Sequence, residues 1–257
     1  MILAIDIGNS NIELGCMSEG EIRIVARIAT DQEKTDDQYA VEIRNVLSLY
    51  EVEMEKISGS IIASVVPPVL NSVKRAITRL TGKTPLVVGP GIKTGLNIMI
   101  ENPASMGSDL IAGAVAGIRE YPLPLIIFDM GTATSIGVVD EKGNYLGGCV
   151  CPGVAISADA LSKHAAQLPG ISLERPKRVV GRNTVECMRS GVINGHAAMM
   201  DGMIQRIQEE LKEPATVLAT GGIASAVLPA CRSKVIYDKD LVLKGLWLLY
   251  EKNCGGR

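Results

Sequence analysis

The chain has 257 residues, 47% of them hydrophobic, a formal net charge of −2 and acidic and basic residues mixed along its length. A substantial core is within reach, so a disordered chain is excluded, and the absence of a Lys/Arg block speaks against direct nucleic-acid binding. With one Phe and one Trp, that core must be built from Ile, Val, Leu, Ala and Met.

The first apolar run, Ile2 to Ile5, reads as a buried strand. It ends in Asp6-Ile7-Gly8-Asn9-Ser10-Asn11 and leads to a second apolar run, which predicts a tight β-hairpin over Met1 to Cys16. Gly8 lets the backbone come close to a ligand, because turn amides without a neighbouring Cβ can face phosphate oxygens. Asn9, Ser10 and Asn11 add side-chain donors. Asp6 repels phosphate but can hold a cation, or its waters, that the phosphate shares. A strand near Glu21 to Ile28 follows, then a helix from about Asp36 to Tyr50 on the apolar positions Val41, Ile43, Val46, Leu47 and Tyr50. Next come a buried strand from Gly59 to Val66 ending in Pro67-Pro68, a helix to about Thr81 and a short strand from Leu86 to Val88. This β-β-β-α-β-α-β order is that of an actin-like half domain.

Residues Ser108 to Ala116 read as a helix with Asp109 in its first turn, where a carboxylate alone would be a cap or first-turn charge worth about 1 kcal/mol. After Pro122 the opening pattern returns. The strand Leu125 to Phe128 runs into Asp129-Met130-Gly131-Thr132-Ala133-Thr134, 123 positions after the first copy, with Thr132 and Thr134 as hydroxyl donors. Either copy alone is an ordinary turn; two copies behind two apolar strands point to duplication and to phosphate chemistry. A strand from Tyr145 to Val150, a helix from Ala155 to Ala166, a long helix within Asn183 to Leu211 and a strand from Thr216 to Ala219 follow. The turn Thr220-Gly221-Gly222 is a third point of close backbone approach and is assigned to the adenosine. A strand near Val235 and a helix from Asp240 to Glu251 complete the chain. The expected fold class is α/β, an actin-like (ribonuclease H-like) duplicated fold. Half domains 1–115 and 116–257 would have the ligand cleft between them.

No apolar run is long enough to span a bilayer, and Asp6 sits where a signal peptide would have its apolar centre, so a soluble cytoplasmic protein without a membrane partner is expected. Six scattered cysteines form no zinc-like pair of pairs, and His164 and His196 are too few for a histidine metal centre.

The stretches DIGNSN (Asp6 to Asn11), TDQEKTDDQY, SVVPP (Ser64 to Pro68), GPGIKTGLNI, ENP (Glu101 to Pro103), DMGTAT, GG-x-x-x-PG (Gly147 to Gly153), LPGISL, GRNT (Gly181 to Thr184), SG (Ser190-Gly191), TGG and LKGLWLLYEKN occur in this order along nearly the whole chain. In that ordered set the chain resembles type III pantothenate kinases, of the acetate and sugar kinase, Hsp70 and actin superfamily. The resemblance implies ATP phosphates held by Asp6, Ile7, Gly8, Asn9, Ser10, Asn11, Ile12 and Glu13 and by Thr132. It also implies magnesium held through water at Asp6, and potassium or ammonium at Asp129. Asp109 would be the proton acceptor and Thr184 an acceptor-substrate contact. Family members are homodimers whose second halves form the interface, and the implied reaction is ATP plus pantothenate giving 4′-phosphopantothenate, the first step of coenzyme A synthesis.

Against the family pattern Y-x-N-P-x-E-V-G-A-D-R this chain has Ile100, Ser105, Met106, Gly107, Ser108, Asp109 and Leu110, so the aspartate is kept, and Ile100, Gly107, Ser108, Asp109 and Leu110 are the candidate substrate positions. Ile100 replaces the tyrosine, and Leu110 replaces an arginine whose planar fork suits the carboxylate of pantothenate. Losing charged hydrogen bonds of about 1.5–3 kcal/mol each would weaken that binding by orders of magnitude. Two further readings follow: a paralogue acting on another, less polar hydroxyl compound, and a nucleotide-binding regulator without transfer activity.

Overall fold

Two sheets with one strand order carry the two Asp-x-Gly copies. In the first, β1 (Ile2–Ile7), β2 (Asn11–Ser18) and β3 (Glu21–Ala29) form an antiparallel meander. Strands β4 (Gly59–Ser64) and β5 (Leu86–Val87) extend it in parallel from the other side of β1, so the order is β3-β2-β1-β4-β5. Helices α1 (Asp36–Ser48), α2 (Pro67–Thr81) and α3 (Ser108–Glu120) belong to this part of the chain. The computed structural model describes residues 1–255.

The second sheet starts from β6 (Asn97–Ile98), β7 (Leu125–Met130), β8 (Ala133–Val139) and β9 (Asn144–Pro152). After α4 (Val154–His164) and α5 (Thr184–Leu211) come β10 (Thr216–Thr220), the short α6 (Ala224–Val227), β11 (Ile236–Tyr237) and α7 (Leu241–Cys254). Strands β7, β8 and β9 are antiparallel and β10 and β11 run parallel to β7, so β9-β8-β7-β10-β11 repeats the first order, with β6 added beside β9. The chain is therefore a duplicated α/β fold, and the repeat extends to burial. β1 buries every residue except Asp6, and β7 every residue except Asp129.

Local sequence explains the helix limits. Thr35 and Gln38 form a reciprocal capping box at α1, with the Thr35 N–H donating to Gln38 Oε1 at 2.9 Å and the Gln38 N–H to Thr35 Oγ1 at 3.3 Å. Pro67 and Pro68 open α2, where a missing N–H costs nothing, and Gly82 closes it in the left-handed region at φ 68°. Helix α1 buries Tyr39, Ala40, Ile43 and Leu47 and stops at Ser48, so two positions expected on its apolar face, Val41 and Tyr50, lie in solvent. The two-residue β6 has no counterpart among the sequence expectations, being too short to carry a period.

The structure forms two units: residues 1–96 and 101–119 with the segment from Asp240 onward, and residues 97–100 with 120–239. This differs from a single cut near residue 115. Helix α7 lies on β1 and β4 of the first unit, where Leu243 packs 3.0 Å from the point a Cβ on Gly15 would occupy and Tyr250 fills the space beside Gly59. The first unit's core joins Leu3, Ile5, Ile7, Ile12 and Leu14 to Tyr39, Ile43, Val69, Val73 and Ile77. The second joins Ile126, Phe128, Met130 and Ile136 to Ile193, Met200 and Ile204 of α5. No helix of the described residues is long and apolar enough to cross a membrane.

Candidate active site

In the first unit the hairpin turn Gly8-Asn9-Ser10 sits at the carboxyl end of β1, the edge at which parallel α/β sheets place ligands. The Gly8 N–H donates to Asn11 O at 3.0 Å, so it closes the turn and is not turned outward to phosphate as the sequence suggested. The Gly131 N–H is spent in the same way on Ala133 O at 3.0 Å. Glycine serves this turn by compactness: a Cβ at Gly8 would stand 3.2 Å from Asn11 O. The side chains of Asn9, Ser10 and Asn11 are exposed, whereas those of Ile7 and Ile12 are wholly buried and could meet a nucleotide only through backbone.

Thr30, at the end of β3, bolts this turn down. Its Oγ1 donates to Gly8 O at 2.6 Å and its N–H donates to Ser10 O at 3.1 Å. Sequence reasoning gave Thr30 no role; the signal was its place at the head of TDQEKTDDQY, where hydroxyl and acidic residues crowd after a strand. Across the sheet, Asp6, Glu13 and Arg27 are register neighbours, and Arg27 ion-pairs with Glu13.

Asp109 belongs to the same edge. β4 is parallel to β1 with Ser64 beside Ile7, so both strands end there together. Ser108, buried at the start of α3, grips that end of β4: its Oγ accepts from the Ser64 N–H at 2.7 Å and donates to Ser64 O at 3.0 Å. The next residue is Asp109, half-buried, whose Oδ1 accepts from the Leu110 N–H at 2.8 Å. Burial pushes its carboxyl above the usual aspartate range, and the backbone donors at 110 and 109 pull the other way. No cation pairs with it among the described residues. Gly107 makes room, since a Cβ there would press on Asp109 Oδ1. Leu110 is half-buried beside it.

In the second unit Asp129 is in register with Ser135 on β8 and Thr220 on β10. Thr132 is half-buried in the turn after β7, but Thr134 is fully buried with its Oγ1 unpartnered among the described residues, so it is no donor to a ligand. Two glycines press on this strand end. A Cβ at Gly153 would run into the carbonyls of Thr132 and Gly131, and one at Gly221 would stand 2.5 Å from Met130 O. Gly221 also has φ 90°, a left-handed value that favours glycine, and Gly222 beside it is exposed. The sequence singled out Gly221 for nucleotide and left Gly153 without a site role; the structure gives both a packing duty against the β7 end and its turn. Thr184 is the exposed first residue of α5, after Asn183, whose Oδ1 caps the helix by accepting from the Glu186 N–H at 2.9 Å. Ile100 lies in the short segment carried by β6, 3.6 Å from the position of a Cβ on Gly147.

Among the described residues no group of three or more His, Cys, Asp or Glu could hold a metal. A cation at Asp6 would take phosphate oxygens and waters as its remaining ligands, which suits magnesium. A groove of about 760 Å3 in the first unit, lined by Asp36, Lys74, Arg75 and Arg79 among others, contains none of these residues. Its lining is polar and comes mainly from α1 and α2.

A family model described as type III pantothenate kinase matches residues 2–206; Gly221 and Gly222 lie beyond it. Similar solved structures include a conserved Campylobacter jejuni protein assigned provisionally to the Baf family of transcriptional activators, 18% identical over 98% of this chain and 99% of that one, with a TM-score of 0.64. A Porphyromonas gingivalis protein, provisionally an N-acetylglucosamine kinase, is 12% identical over 98% and 99%, with a TM-score of 0.55. Component A of (R)-2-hydroxyglutaryl-CoA dehydratase from Acidaminococcus fermentans is 14% identical over 97% and 96%, with a TM-score of 0.54. One actin-like fold thus hosts dissimilar activities, so these likenesses speak to fold and the function must be argued from the site.

Proposed function

The chain belongs to the type III pantothenate kinase family, and from that premise we propose that it transfers the terminal phosphoryl group of ATP to the hydroxyl of pantothenate, giving 4′-phosphopantothenate and ADP in the first step of coenzyme A synthesis. The family and the fold make it a small-molecule kinase that uses ATP and a divalent metal. The observation that carries the finer reading is the placement of Asp109 by Ser108 on the edge of the sheet where Asp6 and the Gly8-to-Ser10 turn also lie.

In this reading Asn9, Ser10 and Asn11 of the first turn and Thr132 of the second hold the phosphates, and Gly221 and Gly222 adjoin the adenosine. Asp6 holds magnesium through water. Glu13, its register neighbour, is ion-paired with Arg27. Asp129 holds the potassium or ammonium ion. The carboxylate of Asp109 accepts the hydroxyl proton as the hydroxyl oxygen bonds to the γ-phosphorus and the bond to ADP breaks. Raised by burial and ion-paired with no cation among the described residues, Asp109 suits that task. Thr184 meets the acceptor. The metal, when bound with ATP, supplies charge neutralisation at the phosphates.

Homodimerisation through the second unit is part of the proposal. Leu146 and Val150 of β9, Ile156 and Leu161 of α4, and Val179 and Val180 before α5 are large apolar side chains exposed in that unit. Such exposed apolar surface on one unit is what a self-association face needs.

Leu110 favours a second reading in which the acceptor lacks a carboxylate. ADP release measured with ATP and pantothenate, with and without potassium, beside Asp109→Asn and Leu110→Arg, separates the two. Pantothenate-dependent release that Asp109→Asn abolishes is expected. Release only with uncharged alcohols, or a gain with pantothenate only in Leu110→Arg, would replace pantothenate as the acceptor; ATP binding without turnover on any alcohol would point to a nucleotide-binding regulator.

A further inference from the structure

Ser108, one residue before Asp109, grips the end of β4 through its hydroxyl. We propose that Ser108 is a positioning residue for the proton acceptor: its hydroxyl pins the first turn of α3 to the end of β4 and so fixes the carboxylate of Asp109 relative to the sheet edge. The inference rests on the reading of Asp109 as proton acceptor.

The geometry is specific. The Ser108 hydroxyl is buried, and it uses both its donor and its acceptor capacity on one residue, the N–H and the carbonyl of Ser64. Ser64 is the last residue of β4, where the sheet ladder ends and its backbone groups need partners from outside the ladder. The Ser64 Oγ in turn accepts from the Val66 N–H at 3.1 Å, which holds the chain as it leaves the strand for α2. One hydroxyl therefore joins the helix that carries Asp109 to the strand that neighbours Asp6. Within the helix turn the remaining freedom of Asp109 is narrow. The Leu110 N–H holds Oδ1, the Gly107 carbonyl accepts from the Ile111 N–H at 3.1 Å, and the missing Cβ at Gly107 leaves the carboxylate its space. These contacts fix Asp109 with respect to α3; the contact to Ser64 fixes α3 with respect to the sheet.

Loosening such a contact moves a catalytic group by a fraction of an ångström to an ångström, and displacement on that scale can cost about 100-fold in rate. The test compares the full-length wild type with Ser108→Ala, Ser108→Thr and Asp109→Asn. Turnover of ATP with pantothenate is followed across pH, and the Asp109 carboxyl is titrated directly by carbon-detected NMR. Ser108→Ala is expected to lower kcat about 10- to 100-fold with the KM for ATP unchanged. It should also move the acid limb of the rate profile and the Asp109 titration downward as the turn loosens and hydrates. Ser108→Thr, which restores a hydroxyl, should recover most of both. Wild-type kcat together with an unmoved Asp109 titration in Ser108→Ala would overturn the inference. Full activity in Asp109→Asn would instead overturn the proton-acceptor reading, and the titration in Ser108→Ala would still decide whether the contact fixes the carboxylate.

Discussion

Glu13 stands directly opposite Asp6 across the first hairpin, and Arg27 on the next strand closes an ion pair on Glu13. Like charges paired across strands are destabilising, so the arginine has a structural duty even though it is half exposed. Arg27→Gln is expected to lower unfolding stability by about 0.2–1 kcal/mol, measured by urea titration. Part of the loss should return as salt rises, because screening weakens the repulsion between Asp6 and Glu13. A loss independent of salt would show that packing, not charge, was removed.

Asp109 should behave as a carboxylate made costly by burial. Its folded pKa lies above its unfolded value, so between the two values the folded state binds the extra proton and stability falls as pH rises. Asp109→Asn should therefore be at least as stable as wild type at neutral pH while kcat drops by about 100-fold or more. Thermal melts at acid and neutral pH check the first claim, and the acid limb of kcat/KM, displaced above the ordinary aspartate range, checks the second.

Thr30→Val keeps the branched side chain and removes the hydroxyl that donates to Gly8 O. We expect a stability loss of about 0.5–1.5 kcal/mol and weaker ATP binding by calorimetry, since the freed turn carries Asn9 and Ser10. Unchanged ATP affinity would separate this turn from the nucleotide.

Gly153→Ala and Gly221→Ala place a Cβ against backbone carbonyls at the β7 end and its turn, which cannot swing aside as a side chain would. Each should cost about 1–3 kcal/mol by overpacking, with strain added at Gly221. The loss should appear in denaturant midpoints, and any folded fraction should bind ATP poorly. Wild-type midpoints would mean that the turn yields more readily than this contact implies.

Much of this was legible in the sequence. The duplicated strand, turn and strand around Asp6 and Asp129 and the helix that follows Pro67-Pro68 are local signals, and the structure follows them. What was not legible depended on distant partners. The Gly8 and Gly131 amides looked available because the turn's own closing bonds cannot be seen in composition. Thr134 read as a donor until the strand register turned it inward to the core. The contact between Ser108 and Ser64 joins residues 44 positions apart, which no periodicity reports. The last helix was expected in the second half and the structure groups it with the first unit for the same reason: proximity along the chain said nothing of the strands it covers.

The position of α7 bears on how the polypeptide is made. The sheet built on β1 has α1 and α2 against one face, while α7 lies on β1 and β4 and fills the spaces beside Gly15 and Gly59. During vectorial synthesis the first strands emerge long before residues 241–254. Until that helix arrives, Ile2, Ala4 and Ile61 on the uncovered side must wait in water or against a chaperone. These strands thus leave the ribosome well before the helix that completes their sheet.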